Sequence, residues 1–71
     1  MTLSSLNSNQ QARIVAITGG SQLRQKLALR GISEGVNLKV ISSNGPVTVK
    51  INGNLVTIGR GMAKKVRVNK I

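Results

Sequence analysis

The chain has 71 residues, and its formal net charge of +10 comes from 11 lysines and arginines against one acidic residue, Glu34. It contains no cysteine, histidine or aromatic residue. These absences exclude a Cys/His zinc site, a disulfide framework and a serine triad, and a single acidic side chain excludes paired-carboxylate catalysis. We therefore expect a protein that is not an enzyme, with no catalytic residue, no cofactor and no metal site, and a single domain over residues 1–71.

Residues 1–10 are predicted to form a short polar arm. Leu3 and Leu6 are its apolar residues after Met1, and they can attach the arm to the rest of the domain. The arm has neither the basic start nor the apolar stretch of a signal peptide. The longest apolar run, Ile14–Ile17, has four residues, against about 20 for a membrane span. We expect a cytoplasmic protein that does not span a membrane.

The next segment predicts a strand followed by a helix. Gln11–Thr18 is rich in branched aliphatic residues, and Gly19-Gly20 ends it. Ser21 is then a candidate helix cap, Gln22–Arg30 contains good helix formers, and Gly31 is placed as the C-terminal stop.

The predicted helix is imperfectly amphipathic. Leu23 and Leu27 share a face, whereas Leu29 points away from them and is expected to be exposed. Lys26 and Arg30 are four residues apart, and a like-charge pair at this spacing destabilises an isolated helix by a few tenths of a kcal/mol. Packing must therefore hold this helix in place.

Beyond Gly35 the hydrophobic period changes to two, which predicts β-strands. The alternating segments are Val36–Val40, Val47–Ile51, Asn54–Ile58 and Val66–Val68. Asn52-Gly53 predicts a two-residue hairpin turn of type I′, which needs a positive φ at both central residues. Residues 43–46 are predicted to form a loop and residues 59–63 a short turn.

One helix cannot cover both faces of a five-stranded sheet, whereas curling the sheet buries one face against itself. We therefore predict a mainly β fold, a small, partly open SH3-like β-barrel of about five strands with one inserted α-helix. The predicted core follows the period-two alternation and consists of Ile14, Leu27, Val36, Leu38, Val40, Val47, Val49, Ile51, Val56, Ile58, Val66 and Val68.

Neither the glycines nor the acidic residue indicates a ligand site. Gly19-Gly20 before the helix matches neither a P-loop nor a dinucleotide-binding motif, so a strand-to-helix turn is the simpler interpretation. Glu34 reads as a turn residue, because hard cations usually need at least two carboxylates.

The positive charge is the most informative feature of the composition. Arg24, Lys26 and Arg30 lie on the predicted helix. A second group, in the last twelve residues, consists of Arg60, Lys64, Lys65, Arg67 and Lys70. Such a charge favours polyanions, acidic proteins or an anionic membrane surface, although the chain lacks the aromatic residues on which single-stranded nucleic acid stacks. The alternative is solvated charge on the polar faces of strands, which Arg13, Lys39 and Lys50 fit well.

The order and spacing of several segments resemble the FeoA family of ferrous iron transport proteins. Near the N-terminus these are Leu3–Leu6, Ala12–Ile14 and Leu23–Leu27, the last leading into Gly31–Gly35. Near the C-terminus they are Asn52–Ile58 and Met62–Val68. The resemblance covers Leu3 to Val68, and a related domain ends the iron-dependent repressors of the DtxR type.

The resemblance implies a non-catalytic accessory protein, a monomer or weak dimer, that modulates a FeoB-type membrane GTPase permease by protein–protein contact. The expected location is the cytoplasm, with peripheral association at the inner membrane. Two alternatives stay open: a small basic β-barrel that binds nucleic acid weakly and without sequence preference, and a detached regulatory domain that binds peptides. The residues predicted to contact the partner are Arg24, Lys26, Arg30, Lys64, Lys65 and Arg67.

Overall fold

The computed structural model describes residues 1–71 as a five-stranded antiparallel sheet with two helices. The elements are β1 Gln11–Ile17, α1 Ser21–Ala28, β2 Asn37–Ser42, β3 Val47–Ile51, β4 Asn54–Ile58, α2 Arg60–Ala63 and β5 Val66–Lys70. A single 3-10 turn at Leu3–Ser5 precedes β1.

The strands lie in the order β4-β3-β2-β1-β5, and every neighbouring pair is antiparallel. Strands β4 and β5 do not pair with each other, so the sheet stays open. The N-terminal arm lies against β5, where Thr2 forms a bridge with Arg67 and the Val68 N–H donates to the Met1 carbonyl. The predicted fold class, mainly β and SH3-like, is confirmed.

The β3–β4 hairpin has the predicted turn. Asn52 and Gly53 have φ values of 51° and 83°, both in the left-handed region that a type I′ turn requires. Ile51 pairs with Asn54 at its base. A local sequence signal is sufficient here because the conformation depends on two residues.

The hydrophobic core is a single cluster of 16 buried residues, all of them aliphatic. Of the predicted core residues, Val36 and Val56 are partly buried and pack against this cluster, and all the others are buried. The additional members are Leu3, Leu6, Ala12, Ile17, Ile32 and Ala63. The two leucines of the N-terminal arm therefore belong to the core itself.

Helix α1 ends at a Schellman motif. Gly31 has a φ of +84°, its N–H donates to the Ala28 carbonyl, and the Ile32 N–H donates to the Leu27 carbonyl. Leu27 and Ile32 are both fully buried, so the motif also joins two core side chains. The predicted stop at Gly31 is confirmed.

The predicted start of this helix is wrong. Gly20, with a φ of 94°, occupies the N-cap position without a side-chain hydrogen bond, and Ser21 is the first helical residue. Glycine is acceptable at an N-cap, and its positive φ lets the chain turn out of β1. The regular helix ends at Ala28, so Arg30 lies beyond it, and its guanidinium donates to the Thr57 carbonyl of β4.

The predicted turn at residues 59–63 is also wrong, and the domain has two helices rather than one. Arg60–Ala63 forms a single helical turn in which the Ala63 N–H donates to the Gly59 carbonyl at 3.0 Å. A single turn that contains Gly61 has almost no intrinsic helix stability. Ala63 is fully buried, so tertiary packing holds this turn.

Neither helix has the length and continuous apolar character that crossing a bilayer requires.

Candidate interaction surface

The three cationic residues predicted on the helix lie in three different environments. Arg24 and Lys26 are two positions apart on α1, and side chains at that spacing do not face each other. Arg24 borders a shallow depression beside Ile17. Arg30, past the helix end, donates from Nη1 to the Thr57 carbonyl of β4 at 3.1 Å. All three remain exposed, as a contact surface requires.

The C-terminal cations occupy the link between α2 and β5 and the strand itself. Lys64 is the C-cap of α2, and Lys65 follows it. The Lys65 carbonyl accepts hydrogen bonds from the N–H and the Oγ1 of Thr18, at 2.8 and 3.3 Å. Arg67 alternates with buried residues of β5 and points away from the core.

Lys65 is the C-terminal cation that lies next to the start of α1. Its side chain passes over Gly19, since a β-carbon added there would lie 3.2 Å from Lys65 Cδ and 2.9 Å from Leu23 Cδ2. Gly19 also has a φ of +111°. The glycine therefore leaves the space that brings Lys65 against the first turn of α1. Arg30, by contrast, is tied to β4.

Two exposed leucines lie near Arg30. Leu29, its neighbour in the chain, is 89% exposed, and Leu55 on β4 is 66% exposed. Arg30 and Leu55 line the same shallow depression of about 290 Å³, together with Val56 and Thr57. The structure thus places an apolar spot beside one predicted contact residue, and Leu29 has the exposure that the sequence predicted.

The single acidic side chain lies in a second shallow depression. This depression has a volume of about 360 Å³ and is lined by Ile17, Arg24, Ala28, Ile32, Ser33 and Glu34. Glu34 is exposed, and its only charged neighbour in the lining is Arg24. No group of three or more potential metal-ligating side chains exists in the structure. One carboxylate beside a guanidinium is a poor donor set for a cation, because the arginine repels it.

Arg60 has a structural function that its sequence context did not indicate. Its Nη1 donates to the carbonyls of Ser43 and Gly45 at 2.6 and 3.0 Å, and its Nη2 donates to the Ser4 carbonyl at 3.0 Å. One guanidinium thereby joins α2, the β2–β3 loop and the N-terminal 3-10 turn. The acceptors are distant backbone atoms, so no local motif could have identified them.

Fold and surface together define the class: a small SH3-like β domain whose charged side chains, Glu34 excepted, are all cationic. A family model described as "FeoA domain" matches residues 1–70, and the chain belongs to that family.

Known proteins agree with this assignment. Over 60 residues the chain is 38% identical to "Putative Fe(2+) transport protein A" of Methanocaldococcus jannaschii, which corresponds to 83% of this chain and 73% of that protein. A crystal structure of "Iron Uptake Regulatory Protein (FeoA)" superposes with a TM-score of 0.94 at 34% identity, covering 100% of this chain and 96% of the other. IdeR of T. acidophilum contains the same fold in 34% of its length, with a TM-score of 0.92 and 26% identity over 100% of this chain. The predicted relation to DtxR-type repressors is confirmed at the level of the fold.

Proposed function

We propose that this protein is a non-catalytic accessory of ferrous iron uptake that binds the cytosolic part of a FeoB-type GTPase permease. The observation that carries the proposal is membership of the FeoA family over residues 1–70, together with a relative named as an Fe(2+) transport protein. The location that goes with it is the cytoplasm, at the inner face of the membrane.

The chemistry of the chain supports a binding function over catalysis. The protein has no histidine or cysteine and one carboxylate side chain, so it lacks the imidazole, the thiol and the paired carboxylates on which most general acid–base catalysis relies. It is equally poor in ligands for iron. A contribution to iron uptake would therefore act through contact with another protein rather than by carrying the ion.

The proposed contact surface consists of Lys64 and Lys65 with the neighbouring side of α1, extended by Arg24, Lys26, Arg30 and Arg67. The geometry supports this surface best at Lys65, whose side chain lies over Gly19 beside the first turn of α1, whereas Arg30 is directed toward β4. Long-range attraction from such a cluster mainly raises the association rate. The exposed side chain of Leu29 would instead slow dissociation by burying apolar surface.

Charge reversal of Lys64 and Lys65 to glutamate tests the surface. We expect association with the isolated cytosolic GTP-binding domain of the permease to slow about tenfold and to become less sensitive to salt. Biolayer interferometry across a salt series measures both.

The matched control is the double variant Lys39→Glu with Lys50→Glu. It changes the net charge by the same amount, but its substitutions lie on strands β2 and β3, outside the proposed contact surface. If the two double variants slow association equally, the contact depends on total charge and the proposed surface is wrong. If neither variant nor the wild-type protein binds the domain, the partnership itself is wrong.

The charge of +10 favours one second candidate, a small nucleic-acid-binding barrel. Binding of that kind would be weak, independent of sequence and steeply reduced by salt, as counterion release requires. A sequence preference that survives at about 0.2 M salt would make this candidate the better one.

A further inference from the structure

The outward-facing side of the sheet carries cations on three neighbouring strands. Exposed and buried residues alternate along β1, β2 and β3, so Arg13, Lys39 and Lys50 all point away from the core. The acidic residue of the chain, Glu34, lies in the connection between α1 and β2. No acidic side chain belongs to any strand.

Strand register places these three cations next to one another. Lys39 and Lys50 are direct cross-strand partners. Lys39 also pairs with Gln11, and Arg13 with Asn37, so Arg13 is a diagonal neighbour of Lys39. Side chains directly opposite each other have Cβ atoms about 5 Å apart, and diagonal neighbours are about 7–8 Å apart. Nε of Arg13 donates to Asn37 Oδ1 at 3.0 Å, which orients the guanidinium and leaves its Nη groups free.

The repulsion between Lys39 and Lys50 is not compensated within the chain. Like charges directly opposite each other destabilise a sheet, and the next cross-strand partners are uncharged: Leu55 for Lys50 and Gln11 for Lys39. A stable fold does not need two lysines at these positions. An anionic partner outside the chain would convert their repulsion into attraction.

Three exposed aliphatic residues lie on the strands that carry these cations or directly opposite them, and two of the three, Val15 and Ile41, stand at β-bulges. Leu55 is directly opposite Lys50, Val15 follows two residues after Arg13, and Ile41 follows two residues after Lys39. Their exposed fractions are 66%, 41% and 39%. We call this surface the outer basic face; its residues are Arg13, Val15, Lys39, Ile41, Lys50 and Leu55.

We propose that the outer basic face docks on the surface of an anionic lipid bilayer. Lysine and arginine bind the phosphates of the headgroups, and aliphatic side chains between them enter the interfacial region. The exposed aliphatic residues favour lipid over single-stranded nucleic acid, because single-strand binding relies on aromatic stacking and the chain has no aromatic residue. The proposal goes beyond the function given above, since the partner is the bilayer and no permease is required.

Co-sedimentation of the full chain with lipid vesicles tests the proposal. We expect binding to phosphatidylglycerol mixed with phosphatidylcholine, and none to phosphatidylcholine alone. Each cation near an anionic surface contributes about a fivefold factor, so Lys39→Gln with Lys50→Gln should lower the partition coefficient about 30-fold. This variant relieves a repulsion, and circular dichroism will show that it stays folded.

The matched control is Lys26→Gln with Lys64→Gln, which removes the same charge from α1 and the end of α2. It should lower the partition coefficient about threefold or less, because charges away from the contact are screened. Equal losses in the two variants would mean diffuse attraction and would overturn the proposal. The proposal would also be overturned by oligonucleotide binding that is tighter than vesicle binding at the same ionic strength and that is selectively lost in the Lys39/Lys50 variant.

A further variant, Leu55→Ser, should weaken vesicle binding while leaving its dependence on salt unchanged. Vesicle binding unaffected by this variant would show that aliphatic insertion is absent and would also overturn the proposal.

Discussion

Replacing Arg60 with methionine should destabilise the domain although the residue is exposed. The guanidinium makes three hydrogen bonds to backbone carbonyls, those of Ser4, Ser43 and Gly45. These bonds hold together segments that lie 15, 17 and 56 positions from Arg60 in the chain. Water can replace the donor at exposed carbonyls, so each bond is worth about 0.5–1 kcal/mol and the sum is about 2 kcal/mol.

For a domain of this size, 1 kcal/mol corresponds to a shift in Tm of about 4–8 °C, so we expect Tm to fall by about 10 °C. The chain has no aromatic residue, and the assay is therefore thermal unfolding followed by far-ultraviolet circular dichroism rather than by fluorescence. Arg24→Met is the matched control, since it removes the same charge from a side chain without an internal hydrogen bond and should change stability by less than about 0.5 kcal/mol. Equal Tm values for the two variants would refute the assignment of a structural function to Arg60. Arg60→Lys should recover less than half of the loss, because an ammonium cannot reach the three acceptors together.

Three further outcomes are expected. Val49 is fully buried in β3, so Val49→Ala should lower the free energy of unfolding by about 1–3 kcal/mol, as measured by urea titration. A loss below about 0.5 kcal/mol would contradict its place in the core. Lys39→Glu converts the like-charge pair with Lys50 into an opposite-charge pair and should raise the free energy of unfolding by about 0.2–1 kcal/mol at low salt, an increase that high salt should abolish. Anaerobic calorimetry should find that the isolated protein binds Fe(II) with a Kd no lower than about 1 mM, because one carboxylate without imidazole or thiolate does not form a site. A one-to-one isotherm with a micromolar Kd would contradict this expectation.

The candidate surfaces could be predicted from sequence only as a list of exposed residues. All six predicted contact residues are exposed, because a lysine or arginine without an acidic partner stays in water. Their neighbours were not predictable. Arg30 reaches the Thr57 carbonyl, 27 positions away, and Lys65 packs over Gly19. The first contact depends on how the end of α1 lies against β4, and the second on the pairing of β1 with β5, which brings Thr18 to Lys65.

The amino-acid sequence by itself determined the features that depend on a few consecutive residues. Period-two alternation identified the strands and their buried sides, Asn52-Gly53 identified the hairpin turn, and Gly31 identified the end of α1. Each follows from backbone sterics or from the burial of every second side chain. The tertiary structure alone decided which strands are neighbours and in what register, and hence that Lys39 faces Lys50. It also decided that Arg60–Ala63 is helical, because the stabilising contacts come from residues far away in the chain and leave no local pattern.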